Sequence, residues 1–186
     1  MGRRAGKHAP DDAPPEFIEA VTSIIHSPGY EVRYMGMICG PMKLLGLTCP
    51  SLKAVEILRD TNGGTRARTL VHELAHVIMH VEEHTPYELA EVEAETVAFR
   101  VCTACGMSKA GYYQFPSTKK WAPGDFEATV AAIDSMVVRT NGTAQYILTR
   151  LRDFGFRGGR EPLLGVACEE IPVLLPPEAA LTMEVA

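Results

Sequence analysis

From Glu16 to His26 the apolar residues Phe17, Ile18, Val21, Ile24 and Ile25 recur at helical spacing, with Pro15 in front and Ser27-Pro28-Gly29 behind. Proline is tolerated at a helix start and glycine favours its end, so the pattern predicts a helix over 16–26. Glu31 to Met37 carries Val32 and Tyr34 among β-type residues and predicts a strand. Gly36, Gly40, Pro41 and Gly46 then punctuate an irregular stretch over 36–50. From Leu52 to Arg59, Ala54, Glu56 and Leu58 alternate with Val55 and Ile57, and Asp60-Thr61-Asn62-Gly63-Gly64 follows, which reads as a strand running into a loop.

Three longer helical patterns follow. Leu70, Leu74, Val77, Ile78 and Val81 give a broad apolar face to a helix from about Thr65 to Val81. Glu82 to Pro86 breaks it, and a second helix runs from about Tyr87 to Cys105, stopping at Gly106. Residues 107–124 read as a structured loop. A third helix begins near Asp125, a residue suited to capping an N-terminus, and runs to about Leu151, with Asn141-Gly142 as a place to bend. Residues 1–15, with prolines and mixed charge, read as a disordered arm, and 152–186 shows no clear period. One domain over 16–151 is therefore expected, with no internal repeat.

Composition narrows the class. The 186 residues suit one domain, and 46% hydrophobic content supports a core. A net charge of −5 and a pI near 5.7 argue against nonspecific nucleic-acid binding by the whole surface. No apolar run is long enough to span a bilayer, and no apolar segment follows the basic N-terminus as in a secretory signal. The five cysteines (Cys39, Cys49, Cys102, Cys105 and Cys168) are odd in number and irregular in spacing, which favours a reducing cytoplasm over a disulfide framework.

The chemistry concentrates in His72-Glu73-Leu74-Ala75-His76. Residues four apart on a helix share a face, so His72 and His76 can present two imidazoles to one metal ion. Glu73, rotated by about a quarter turn, can reach a water beside that ion without being a ligand. The rival is a solvated His/Glu face arising by chance. The apolar surroundings, Leu70-Val71 before and Val77-Ile78-Met79 after, argue against it, because such groups are costly to bury without partners.

Catalytic zinc usually takes three protein ligands. The metzincin pattern is excluded, since Met79 stands where its glycine should be and Glu82 where its third histidine should be. The next helix offers Glu91, Glu93 and Glu95. At ~100° per residue, Leu89, Ala90, Thr96 and Val97 lie within about 60° of Glu93, while Glu91 and Glu95 fall opposite, beside Glu88. Glu93 is thus the favoured third ligand, Glu91 reads as solvated, and Glu95 stays open as a rival ligand or as a partner behind one. His80 continues the histidine row but lies ~6 Å past His76 along the axis, which suits an outer contact better than the same ion. His84 reads as exposed. Cys102 and Cys105 form C-x-x-C inside a helix, without a second pair, and read as ordinary helix-face residues. Gly63-Gly64 and Gly158-Gly159 lack the context of a phosphate loop.

Arg68 to His80, followed by Glu93-Ala94-Glu95-x-Val97-Ala98, resembles the ImmA/IrrE-type metallopeptidases, with their H-E-L-x-H-x-x-x-H helix and a second helix bearing E-A-x-x-apolar-A. Similar domains form the C-terminal half of ArdC-like antirestriction proteins. The resemblance covers about residues 50–150. It implies an α+β zincin-like fold, with a small sheet packed on a helical layer that carries the motif. It also implies Zn2+ held by His72, His76 and Glu93, with Glu73 as catalytic base. The activity implied is hydrolysis of a peptide bond in a cytoplasmic protein such as a transcriptional repressor. For such a peptidase, the strand over 54–58 offers an edge along which the substrate could add. The other reading is a regulatory or antirestriction DNA-associated module whose metal is not catalytic. The segment 36–50 has no counterpart in the resemblance.

Overall fold

A computed structural model of the chain describes residues 13–38, 44–107 and 124–158. Four helices and a three-stranded sheet are formed, so the class is α+β. Of the expected N-terminal arm, residues 1–12 lie outside the described part, but Ala13 is buried and helix α1 (Pro15–His26) opens on Pro15. Phe17, Val21, Ile24 and Ile25 turn one face of α1 into the core.

The strands are β1 (Glu31–Met35), β2 (Gly46–Cys49) and β3 (Ala54–Leu58), in the order β1-β3-β2. β3 pairs parallel with β1 and antiparallel with β2. The central place of β3 accords with its composition: four of its five residues are buried, and Val55 and Ile57 enter the helical core. β2 falls in the segment expected to be irregular. It is short, contains a glycine and shows no alternating pattern, so pairing with β3 rather than its own sequence makes it a strand. Because β3 is paired on both edges, a strand cannot add along 54–58, as the sequence had suggested. Among the described residues the edges belong to β1 and β2, and β2 is the edge strand packed on α2.

Helix α2 (Gly63–Met79) starts two residues earlier than expected, since Asn62 Oδ1 accepts the Thr65 backbone N–H at 2.7 Å. Arg66 donates to the carbonyls of Arg59 and Thr61, which ties the helix start to the end of β3. The helix ends at Met79, because His80 leaves helical geometry with φ −122° and ψ −7°. Helix α3 (Tyr87–Ala104) returns alongside it and stops before Gly106 at φ +77°, and helix α4 (Phe126–Asp153) runs uninterrupted through Asn141-Gly142. The expected loop over 107–124 and the tail over 152–186 fall mostly outside the described residues, though α4 reaches Asp153 and Phe156 is buried edge-on against Phe17, ring centroids 5.2 Å apart. α3 packs on both α2 and α4, so its burial extends almost all round.

Cross-strand partners share a sheet face. Thr48 pairs with Val55 and Gly46 with Ile57, and Val55 and Ile57 face the helical core. Gly46 and Thr48 therefore both look onto α2. A Cβ at position 46 would lie 2.5 Å from Glu73 Oε1 and 2.6 Å from Thr69 Cγ2. Substituting Gly46→Ala is expected to destabilise the fold by about 1–3 kcal/mol through overpacking, measured by urea denaturation.

Candidate metal centre

Pairing across the α2–α3 seam runs antiparallel. Arg68 and His72 meet Glu95, His76 meets Glu91, and His80 meets Glu93. The two motif histidines turn their Nε2 atoms toward one another, 3.1 Å apart. Glu91 stands at the same point, with Oε2 3.6 Å from His72 Nε2 and Oε1 3.4 Å from His76 Nε2. Among the described residues, His72, His76 and Glu91 form the group whose ligand atoms all lie within 4.8 Å of one another.

Glu93, favoured from the helical wheel, is placed elsewhere. It is 1% exposed, its Oε2 is 2.9 Å from His80 Nε2, and Arg139 of α4 approaches its two oxygens at 3.1 and 3.4 Å. The wheel assumed that α3 has one buried face. Packed between α2 and α4, it has two, and the stripe around Glu93 was no guide to the face that meets the histidines. Glu91, read as solvated, is half-buried in the seam. Glu95, left open, sits 3.1 Å from His72 Nδ1 and receives Arg68 at 2.6 Å. His80 forms an outer contact with His76, Nδ1 to Nδ1 at 3.0 Å, while His84 is exposed.

Glu73 lies about a quarter turn round α2 from His72, buried against β2, and its charge is felt at His72. The Thr48 hydroxyl donates to its Oε2 at 2.8 Å, and Gly46 packs so close to Oε1 that a Cβ there would lie 2.5 Å from it. Nothing in the bare motif pointed to Thr48 or Gly46, because the register that aims them at α2 arises from the β2–β3 pairing.

The electrostatics favour a cation. Glu73, Glu91, Glu93 and Glu95 are set against the guanidinium groups of Arg68 and Arg139, an excess of two negative charges around three imidazoles. Burial alone would lower the His72 pKa, but contacts with Glu91 and Glu95 and the charge of Glu73 outweigh it and push it up to about 9. Burial acts on Glu91 in the opposite sense, yet its contacts with His72 and His76 hold its carboxyl well below the usual range. His80 is lowered, chiefly by burial. Two neutral imidazoles and a carboxylate meeting at one point are the donor set of a zinc or similar divalent ion. By contrast, Cys105 has its thiol pushed up to about 12 by burial, far from a thiolate ligand.

No family model, curated protein or solved structure matches the chain. No helix among the described residues is long and apolar enough to cross a membrane.

Two outcomes are expected. Glu91→Gln should weaken zinc binding by more than the ~10–100-fold typical of losing a partner behind a ligand, and by more than Glu93→Gln does, in competition titrations with a chromogenic chelator. In the metal-free protein, the raised His72 value means that its proton stabilises the fold fully below pH 6.5, and that this contribution is lost as the pH rises through about 9. The lowered Glu91 value contributes above pH 4.5 and is lost as the pH falls through it. The urea midpoint should therefore decline between pH 6.5 and 9, and this decline should flatten in His72→Gln.

Proposed function

We propose that the protein is a zinc-dependent peptidase with His72, His76 and Glu91 as ligands and Glu73 as general base. The observation that carries this reading is the meeting of three donors, two of them from H-E-x-x-H, on the helix that also holds a hydrogen-bonded, buried glutamate. In this reading Glu91 takes the ligand place that the motif comparison assigned to Glu93. When bound, zinc supplies Lewis acidity, which lowers the pKa of water and polarises a carbonyl.

Glu73 does the proton work. Thr48 occupies its Oε2, which leaves Oε1 as the oxygen to accept a proton from water and return it to the leaving amine. Glu95 and Arg68 hold the ring of His72 in place from behind. β2, whose residues Gly46 and Thr48 touch Glu73, is an edge strand among the described residues and gives an extended peptide a strand to pair with beside the site. The resemblance to ImmA/IrrE-type enzymes makes a repressor the first protein substrate to try.

A binding module with a non-catalytic metal would behave differently under one substitution. Glu73→Gln is expected to keep zinc at parent stoichiometry and to lower peptide cleavage by about 10²–10⁴-fold. Mass spectrometry of a zinc-loaded incubation with a peptide library reads the cleavage, with chelator as control. Cleavage at the parent rate by this variant would rule the mechanism out.

A further inference from the structure

The two imidazoles at the centre are supported differently. If His72 and His76 both offer Nε2 to a metal, each must carry its proton on Nδ1. For His72 the acceptor of that proton is the Glu95 carboxylate, 3.1 Å away. His76 has no carboxylate behind it; Glu91 Oε1 stands 3.4 Å from its other nitrogen, Nε2, which His72 Nε2 approaches more closely, at 3.1 Å. The His76 Nδ1 faces another imidazole nitrogen, His80 Nδ1, at 3.0 Å. Two ring nitrogens at that distance share one proton, and something must decide which ring holds it.

Glu93 decides it. An ionised carboxylate only accepts, and Glu93 Oε2 lies 2.9 Å from His80 Nε2. That nitrogen therefore carries the hydrogen, and the Nδ1 of a neutral His80 is left with a lone pair. The His76 Nδ1–H donates to it, and His76 Nε2 keeps its lone pair for a metal. Arg139 maintains the arrangement, because its Nε and Nη2 meet the two Glu93 oxygens and Nη2 also reaches Glu83 at 2.8 Å. Leaving the helix at His80 gives this ring its position, since its backbone no longer follows the row of His72 and His76.

We propose that His80, fixed by Glu93 and Arg139, is a positioning residue that sets the tautomer and ring orientation of His76. The role in metal binding rests on the zinc reading, but the tautomer belongs to the metal-free chain and can be seen without it.

Long-range 1H–15N correlation spectra of the metal-free, histidine-labelled protein read the tautomers directly. The expected result is His76 protonated on Nδ1 and His80 on Nε2. His80→Leu should scramble the His76 tautomer and weaken zinc binding by ~10–100-fold, as loss of a partner behind a ligand does. His80→Gln, whose amide can accept from His76 and donate to Glu93, should recover most of that loss. Arg139→Met should shift both readouts in the direction of His80→Leu. A parent protein with His76 protonated on Nε2 overturns the proposal without any variant having to fold. So does a folded His80→Leu with unchanged tautomer and zinc affinity. The expected tautomer pair in a parent that binds no zinc would instead sink the zinc reading and leave the positioning role standing.

Discussion

The structure depends on how three carboxylates are accommodated in the seam between α2 and α3. Taking a charged group out of water costs several kcal/mol unless a partner meets it. Glu95 is met by Arg68 and His72, Glu93 by Arg139 and His80, and Glu91 by the Nε2 atoms of His72 and His76. The first two have a permanent cation. Glu91 has only imidazoles, which are positive when protonated and neutral when not. This asymmetry makes Glu91 the carboxylate of the seam whose balancing charge depends on protons.

The sheet contributes through one strand. β3 supplies the buried centre, and its register fixes which residues of β2 look at the helix. Thr48 and Gly46 together place Glu73: one holds an oxygen and the other leaves room for its neighbour. Glu73 is therefore held from the sheet, while His72, His76 and His80 are met from α3 and, through Arg139 and Glu93, from α4. Adjacent residues of α2, His72 and Glu73, have partners in different layers for that reason.

The helices were legible because their apolar residues repeat over several turns: Phe17 to Ile25, Leu70 to Val81 and the long run of α4 all carry a period that survives small errors at the ends. β1 was legible from Val32 and Tyr34, and β3 from Val55 and Ile57. β2 was not, since Gly46 to Cys49 is four residues long and is made a strand by its partner. At the site, the motif named His72, Glu73 and His76 from spacing alone. The wheel that favoured Glu93 used burial as its criterion, and burial could not discriminate on a helix covered on two sides. The contacts across the seam had a separate signal in the sequence: Glu91 and Glu95 share the four-residue spacing of His72 and His76. Two such pairs on neighbouring antiparallel helices can face each other.

Arg139 lies 46 residues beyond the carboxylate it holds. For anyone wishing to transplant the site, the helical hairpin from 63 to 104 looks like a self-contained cassette, with His72, His76, His80 and every glutamate of the seam. It is not one. Excised there, the hairpin would lose the cation opposite Glu93 as well as the strand that holds Glu73. A portable unit has to begin no later than Gly46 and extend through Arg139, so most of the described chain travels with the motif.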